Sequence, residues 1–283
     1  MKHNGMVVAV ILFITLFLGG VSPTQAGNST VTICDFANLS SAVATANSGG
    51  GTITFACSGT IIFSSELTIT GNVTINGGGT IIFDGDDTTR FFVVNSGASL
   101  TLDGLTLQNG VGTGSNSNGG AILADGSLTI TDSTFNDNHS EYYGGAIFVS
   151  GAVTITNSIF NHNSAGWGGA IISVSNILTV TNSTFNNNSA SDDGGAIFAI
   201  NNTLIITDST FNNNSAGDNG GATFTYGTAT ITNSTFVNNS ASNGGAISTP
   251  GTTTLTHNTF VNNSVNTLYI YSVTISATLT LSY

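Results

Sequence analysis

Positive charge is almost missing from this chain. Of 283 residues only Lys2 and Arg90 are basic, against fourteen acids, and the formal net charge is −12. So few cations cannot neutralise phosphates, which excludes nucleic acid as a partner, and anionic membrane surfaces repel the chain. Charge of either sign is scarce: 6% of residues are charged, where about a quarter is usual. Thr, Ser and Asn must keep the outside wet, as suits an extracellular surface working through hydrogen bonds. There is no Ser-His-Asp spacing, no phosphate-binding loop and no Gly-Gly-x-Gly-x-Asp calcium repeat. No cofactor and no metal are expected. After residue 26 no apolar run approaches the roughly 18–20 residues of a membrane span.

What the chain has is repetition. Gly119–Ser264 carries one sentence six times: Gly-Gly-Ala-Ile, a variable tail, Leu-Thr-Ile-Thr, Asp/Asn-Ser-Thr-Phe, then Asn-rich residues. Phe135, Phe160, Phe185, Phe211, Phe236 and Phe260 keep a step of about 25 residues, the mark of a solenoid or propeller. Apolar residues alternate with Thr at a period of two, as in Leu128-Thr129-Ile130-Thr131, which predicts strands. A propeller blade needs roughly 40–50 residues, and the Leu-x-x-Leu-x-Leu spacing of leucine-rich repeats is missing. The expectation is an all-β, right-handed parallel β-helix, three-sided and of roughly nine coils at ~4.8 Å spacing.

In such a stack equivalent residues form ladders. The six Phe are expected in an internal column. Asn138, Asn163, Asn188, Asn214, Asn239 and Asn263, each three residues after a Phe, are expected at a corner, left-handed in backbone and bonded amide to amide. The glycine pairs bend the chain before the next strand, with Ile122, Ile147, Ile171, Ile197 and Ile247 turned inward.

These paired motifs resemble the repeat of chlamydial polymorphic outer membrane proteins and related secreted β-helices of the pectin-lyase-like superfamily. The resemblance implies the β-helix and a cell-surface context, and it covers about half of the chain. Such folds host adhesins and carbohydrate enzymes alike. The chlamydial relatives carry a long C-terminal barrel, for which residues 267–283 offer no room.

Taken in order, residues 1–26 read as an export signal, with Lys2 followed by the apolar run Met6–Leu18. Residues 27–50 are a capping segment, with a helix expected over Asn28–Asn47, capped by Asp35. Cys34 and Cys57, the only cysteines, pair after export or are two buried thiols. Residues 51–118 are degenerate coils ending in a polar loop, Asn109–Asn118. Residues 119–266 are the regular repeats. Residues 267–283 form a strand without a polar cap, a truncated end or an edge that pairs with a partner.

For chemistry, Arg90 is the sole candidate base for β-elimination and is expected as a solvated turn residue. Asp86-Asp87 and Asp192-Asp193 are adjacent acids on turns, and Glu141, Asp192, Asp193 and Asp218 sit before glycine pairs in different coils as solvated acids or a loose Ca²⁺ site. His139, His162 and His257 share no repeat position. The leading expectation is a non-catalytic, adhesin-like surface protein binding a glycan or cell-surface ligand; a polysaccharide lyase or hydrolase is the alternative. The Thr-x-Thr pairs Thr129/Thr131, Thr154/Thr156, Thr179/Thr181 and Thr230/Thr232 form a candidate ligand face, which also resembles the ice-binding face of solenoid antifreeze proteins.

Overall fold

The computed structural model describes residues 27–112, 117–174, 176–264, 266–275 and 280–282. The expected export signal and part of the Asn109–Asn118 loop lie outside the described residues.

The chain winds into a parallel β-solenoid of about nine turns. The strand Ser127–Thr131 shows why: Leu128 and Ile130 are buried while Thr129 is exposed. A period-2 strand has one apolar face to bury, and the next coil offers a matching strand in register. Thr129 pairs with Thr154, and Phe135 with Phe160. Each coil has three main faces. The Gly-Gly face carries strands such as Ile147–Val149, the Thr face Val153–Thr156, and the Phe face Ile159–Asn161. In Ile197–Thr207 the first two run on as one strand, with a register shift between Ile200 and Asn202.

Two corners per coil are turned by a left-handed residue other than glycine. The first uses Asp132, Asn157, Asn182, Asp208, Asn233 and His257, with φ between 48° and 54°. The second uses Asp137, His162, Asn187, Asn213, Asn238 and Asn262, with φ between 50° and 55°. Asn, Asp and His are the side chains that enter this region most readily, which accounts for the placement of His162 and His257. It also corrects the expected backbone of the Asn column: the left-handed residue is the one before each ladder Asn. That residue turns the chain, leaving Asn138 and its equivalents to point inward.

Inside, three ladders run along the axis. Neighbouring rings from Phe135 to Phe260 stack nearly parallel, with centroids 4.8–4.9 Å apart. The Asn188 amide donates to the Phe160 carbonyl at 2.9 Å and to Asn214 Oδ1 at 2.9 Å. Its own Oδ1 accepts from the Asn163 backbone N–H and side-chain amide, so all four of its bonds are made. Sequence reasoning missed the third ladder, buried Ser133, Ser158, Ser183, Ser209 and Ser234. Each Oγ donates to the carbonyl two residues back and accepts the backbone N–H of the preceding coil, as Ser183 does from Ser158. Ser two residues before the Phe in five of the six copies, with Asn258 in the last, was the available signal.

The two glycines of each pair do different work. Gly194 has φ 67°, while a Cβ on Gly195 would lie 2.0 Å from the carbonyl oxygen of Gly221. The first permits the turn, and the second lets neighbouring coils touch.

At the N-terminal end the helix spans Phe36–Gly49, shorter than expected, because Ser29–Val31 instead forms a strand on Ile53–Phe55. Asp35 caps it by accepting from the Asn38 backbone N–H at 2.8 Å, and Leu39, Ala42, Val43 and Ala46 are buried. Cys34 and Cys57 form a disulfide, with Cα atoms 5.7 Å apart. At the other end Leu268–Ile275 pairs with Ile247–Thr256, and Thr280–Ser282 with Thr259–Val261. Strand stacking thus continues after the Gly-Gly and Asn motifs stop, since parallel pairing itself needs only backbone.

Candidate ligand surface

The Thr face presents two outward rows. Thr101, Thr129, Thr154 and Thr179 pair in succession, Ile205 interrupts, and Thr230 and Thr254 resume. The second row runs Thr131, Thr156, Thr181, Thr207, Thr232 and Thr256. The Phe face adds a third, with Thr134, Thr184, Thr210, Thr235 and Thr259 and with Ile159 in the second place. Within a row the step is about 4.8 Å, and two residues along a strand span about 6.7 Å. Each row is a repeating line of hydroxyls and methyls, with Asp103 in register before Thr131 and exposed Asp132 and Asp208 at the corner between the second and third rows.

Arg90 does not stand in solvent as expected. Its side chain is 3% exposed, forms an ion pair with Glu66 at 3.0 Å, and donates from Nε to the Gly119 carbonyl at 2.9 Å. Burial lowers its pKa and the Glu66 carboxylate opposes that shift; an arginine stays charged throughout. The guanidinium thus joins the degenerate coils to the first regular one. Asp86 and Asp87 are both left-handed turn residues, and Asp86 N–H is held by Asp84.

The residues before the glycine pairs form a row of their own. Gly144 N–H donates to the Trp167 carbonyl, Gly168 to Asp193, Gly194 to Asn219 and Gly220 to Asn243. Asp193 Oδ1 accepts from the Asn219 side chain at 2.8 Å and from its backbone N–H at 3.1 Å. Burial raises the Asp193 pKa, and the charges of Asp218 and Asp192 push the same way against the Asn219 hydrogen bonds. Among the described residues no group of three or more His, Cys, Asp or Glu side chains is placed to hold a metal ion. His139 is exposed and bonds Ser164 Oγ at 2.9 Å through Nδ1.

A second hydrophobic cluster lies outside the solenoid, on the outward side of the Gly-Gly face. Ile172, Phe198 and Phe224 are buried there, with Tyr143, Phe148 and Trp167 packed against them. Sequence reasoning missed it because the position after each inward Ile is variable in the repeat. The recurring aromatics there, Phe148, Phe198 and Phe224, with Ile172 between the first two, were the visible signal.

Among the described residues no helix is long and apolar enough to cross a membrane, which says nothing of β-barrels. A search of curated proteins finds no match to this chain. The Chlamydia polymorphic membrane protein repeat matches residues 132–150, 182–200, 208–226 and 233–250. Every matched segment opens on a left-handed corner residue and runs through the Ser, Phe and Asn ladders to the glycine pair. The family signature is therefore the set of side chains that turn and stack one coil, a geometry consistent with the pectin-lyase-like superfamily. This chain is a parallel β-solenoid in which four segments match the Chlamydia polymorphic membrane protein repeat.

Proposed function

We propose that this is an adhesin-like protein of a bacterial cell envelope that binds glycan on its threonine-lined outer faces. The observation that carries the reading is the register of the Thr rows, in which one coil after another presents the same hydroxyls outward. A ligand with its own repeat meets such a surface at many equivalent points, so weak contacts sum. The envelope location rests on the family of the repeat. A glycan array probed with the exported chain tests the reading. Binding to at least one glycan is expected, with loss in Thr179→Lys at intact far-UV circular dichroism. Turnover of a polysaccharide that survives purification and is lost in Asp192→Asn would replace the adhesin reading with a lyase or hydrolase.

The same flat array of hydroxyls and methyls supports a second reading, ice binding. Thermal hysteresis and ice-recrystallisation assays separate the two. Hysteresis abolished by Thr179→Lys would establish ice as the ligand, and none at high protein concentration closes that reading.

A further inference from the structure

We propose that Tyr143, Trp167, Asp193 and Asn219 form a binding subsite for an uncharged oligosaccharide laid along the solenoid axis. The inference rests on the glycan-binding reading above and places the sugar on the Gly-Gly face. These residues occupy one repeat position in four successive coils, fixed by the backbone bonds from Gly144 to Trp167, Gly168 to Asp193 and Gly194 to Asn219. Tyr143 and Trp167 lie with ring centroids 5.2 Å apart and planes 33° apart, both partly buried. They are propped from beneath by the outer cluster of Phe148, Ile172 and Phe198. One coil on, the row changes from aromatic to polar, and Asp193, Asn219 and Asn243 are chained by side-chain hydrogen bonds.

This sequence of groups suits one class of ligand. A pyranose has a C–H face that lies against an indole or phenol ring and a rim of hydroxyls that needs planar acceptors and amide donors. Apolar platform and polar rail stand side by side at a pitch of about 4.8 Å, so successive sugars meet each in turn. Charge selects among glycans. Asp193 stands in the row and Asp192 and Asp218 flank it, and of the chain's two basic residues Arg90 is buried against Glu66 and Lys2 lies in the segment expected to be an export signal. Acidic polysaccharides are repelled, and uncharged ones are not.

Trp167 is the only tryptophan of the chain, so its emission reports on this site alone. The full exported chain is titrated with cellohexaose, mannohexaose and N-acetylchitohexaose, with hexagalacturonate as the acidic contrast. A saturable change in emission is expected with at least one uncharged hexasaccharide and none with hexagalacturonate. Calorimetry is expected to show at least a tenfold loss of affinity in Trp167→Ala and partial recovery in Trp167→Phe, each with unchanged circular dichroism. Asp193→Asn, which keeps the reporter, is expected to weaken binding severalfold. Binding retained in Trp167→Ala but lost in Thr179→Lys would put the sugar on the Thr rows and overturn the subsite while leaving the glycan reading. A dimer in sedimentation that Trp167→Ala dissociates would make the band an interface between copies and also overturn it. No binding to any oligosaccharide, in solution or on the array, would overturn both.

Discussion

Replacing Phe185 with Ala tests the internal architecture most directly. The ring is fully buried and stacked on both sides, 4.8 Å from Phe160 and 4.8 Å from Phe211, with planes within 4°. Large-to-small replacement of a core Phe costs ~3–5 kcal/mol, combining lost transfer energy with the cavity left behind. Each aromatic contact adds about 0.5–1.5 kcal/mol beyond area burial, and this residue has two. The upper end, ~4–5 kcal/mol, is the expected cost, because parallel strands on both sides hold their spacing and resist collapse into the hole. That is a large share of the roughly 5–15 kcal/mol that holds a domain folded. Coils contact only their neighbours, so a weakened interior coil should also split unfolding into two steps. Urea titration followed by far-UV circular dichroism and by Trp167 emission supplies both readings, since Trp167 leads into the coil that contains Phe185. Phe260→Ala is expected to cost less, about 3 kcal/mol, its described stack being on Phe236 alone. A change below about 1 kcal/mol for Phe185→Ala would refute the internal column.

Other sites give sharper local tests. Asn188→Ala is expected to cost roughly 3–5 kcal/mol in chemical denaturation, since it orphans the Phe160 carbonyl and the Asn163 amide groups inside the core. Thr223→Val is expected to stabilise by about 1–2 kcal/mol, because Thr223 stands in register with inward Ile197 and its buried hydroxyl has no hydrogen-bond partner among the described residues. Reducing the disulfide between Cys34 and Cys57, 23 residues apart, is expected to cost roughly 3 kcal/mol in the chain-entropy account, read as a lower urea midpoint for the Cys57→Ser chain. Asp193 holds its proton more tightly folded than unfolded, so its contribution to stability is present at low pH and is lost as pH rises through its folded pKa. Asp193→Asn should therefore have the higher urea midpoint at about pH 7 and lose that advantage below about pH 4, near the ordinary Asp value.

The sequence by itself determined the coil. A step of about 25 residues with period-2 apolar residues admits parallel stacking, and a stack places each Phe over the next because equivalent positions coincide in register. Buried and repeated residues are legible for that reason: one constraint is written into every copy. Tertiary structure decided what depends on which side of a corner a residue falls. The left-handed strain sits on His162 rather than on Asn163, and only the path of the backbone distinguishes two neighbouring polar residues. Asp35 begins the helix and Ser29–Val31 joins the sheet, since a local stripe cannot report that a strand edge waits in the next coil. Arg90 looked like a solvated turn residue, and Glu66, 24 positions earlier, is brought to it by just one turn of the solenoid. The aromatic band arose from positions the repeat leaves free. A variable position shows no pattern along the chain, and its neighbours are set by the coil above and the coil below.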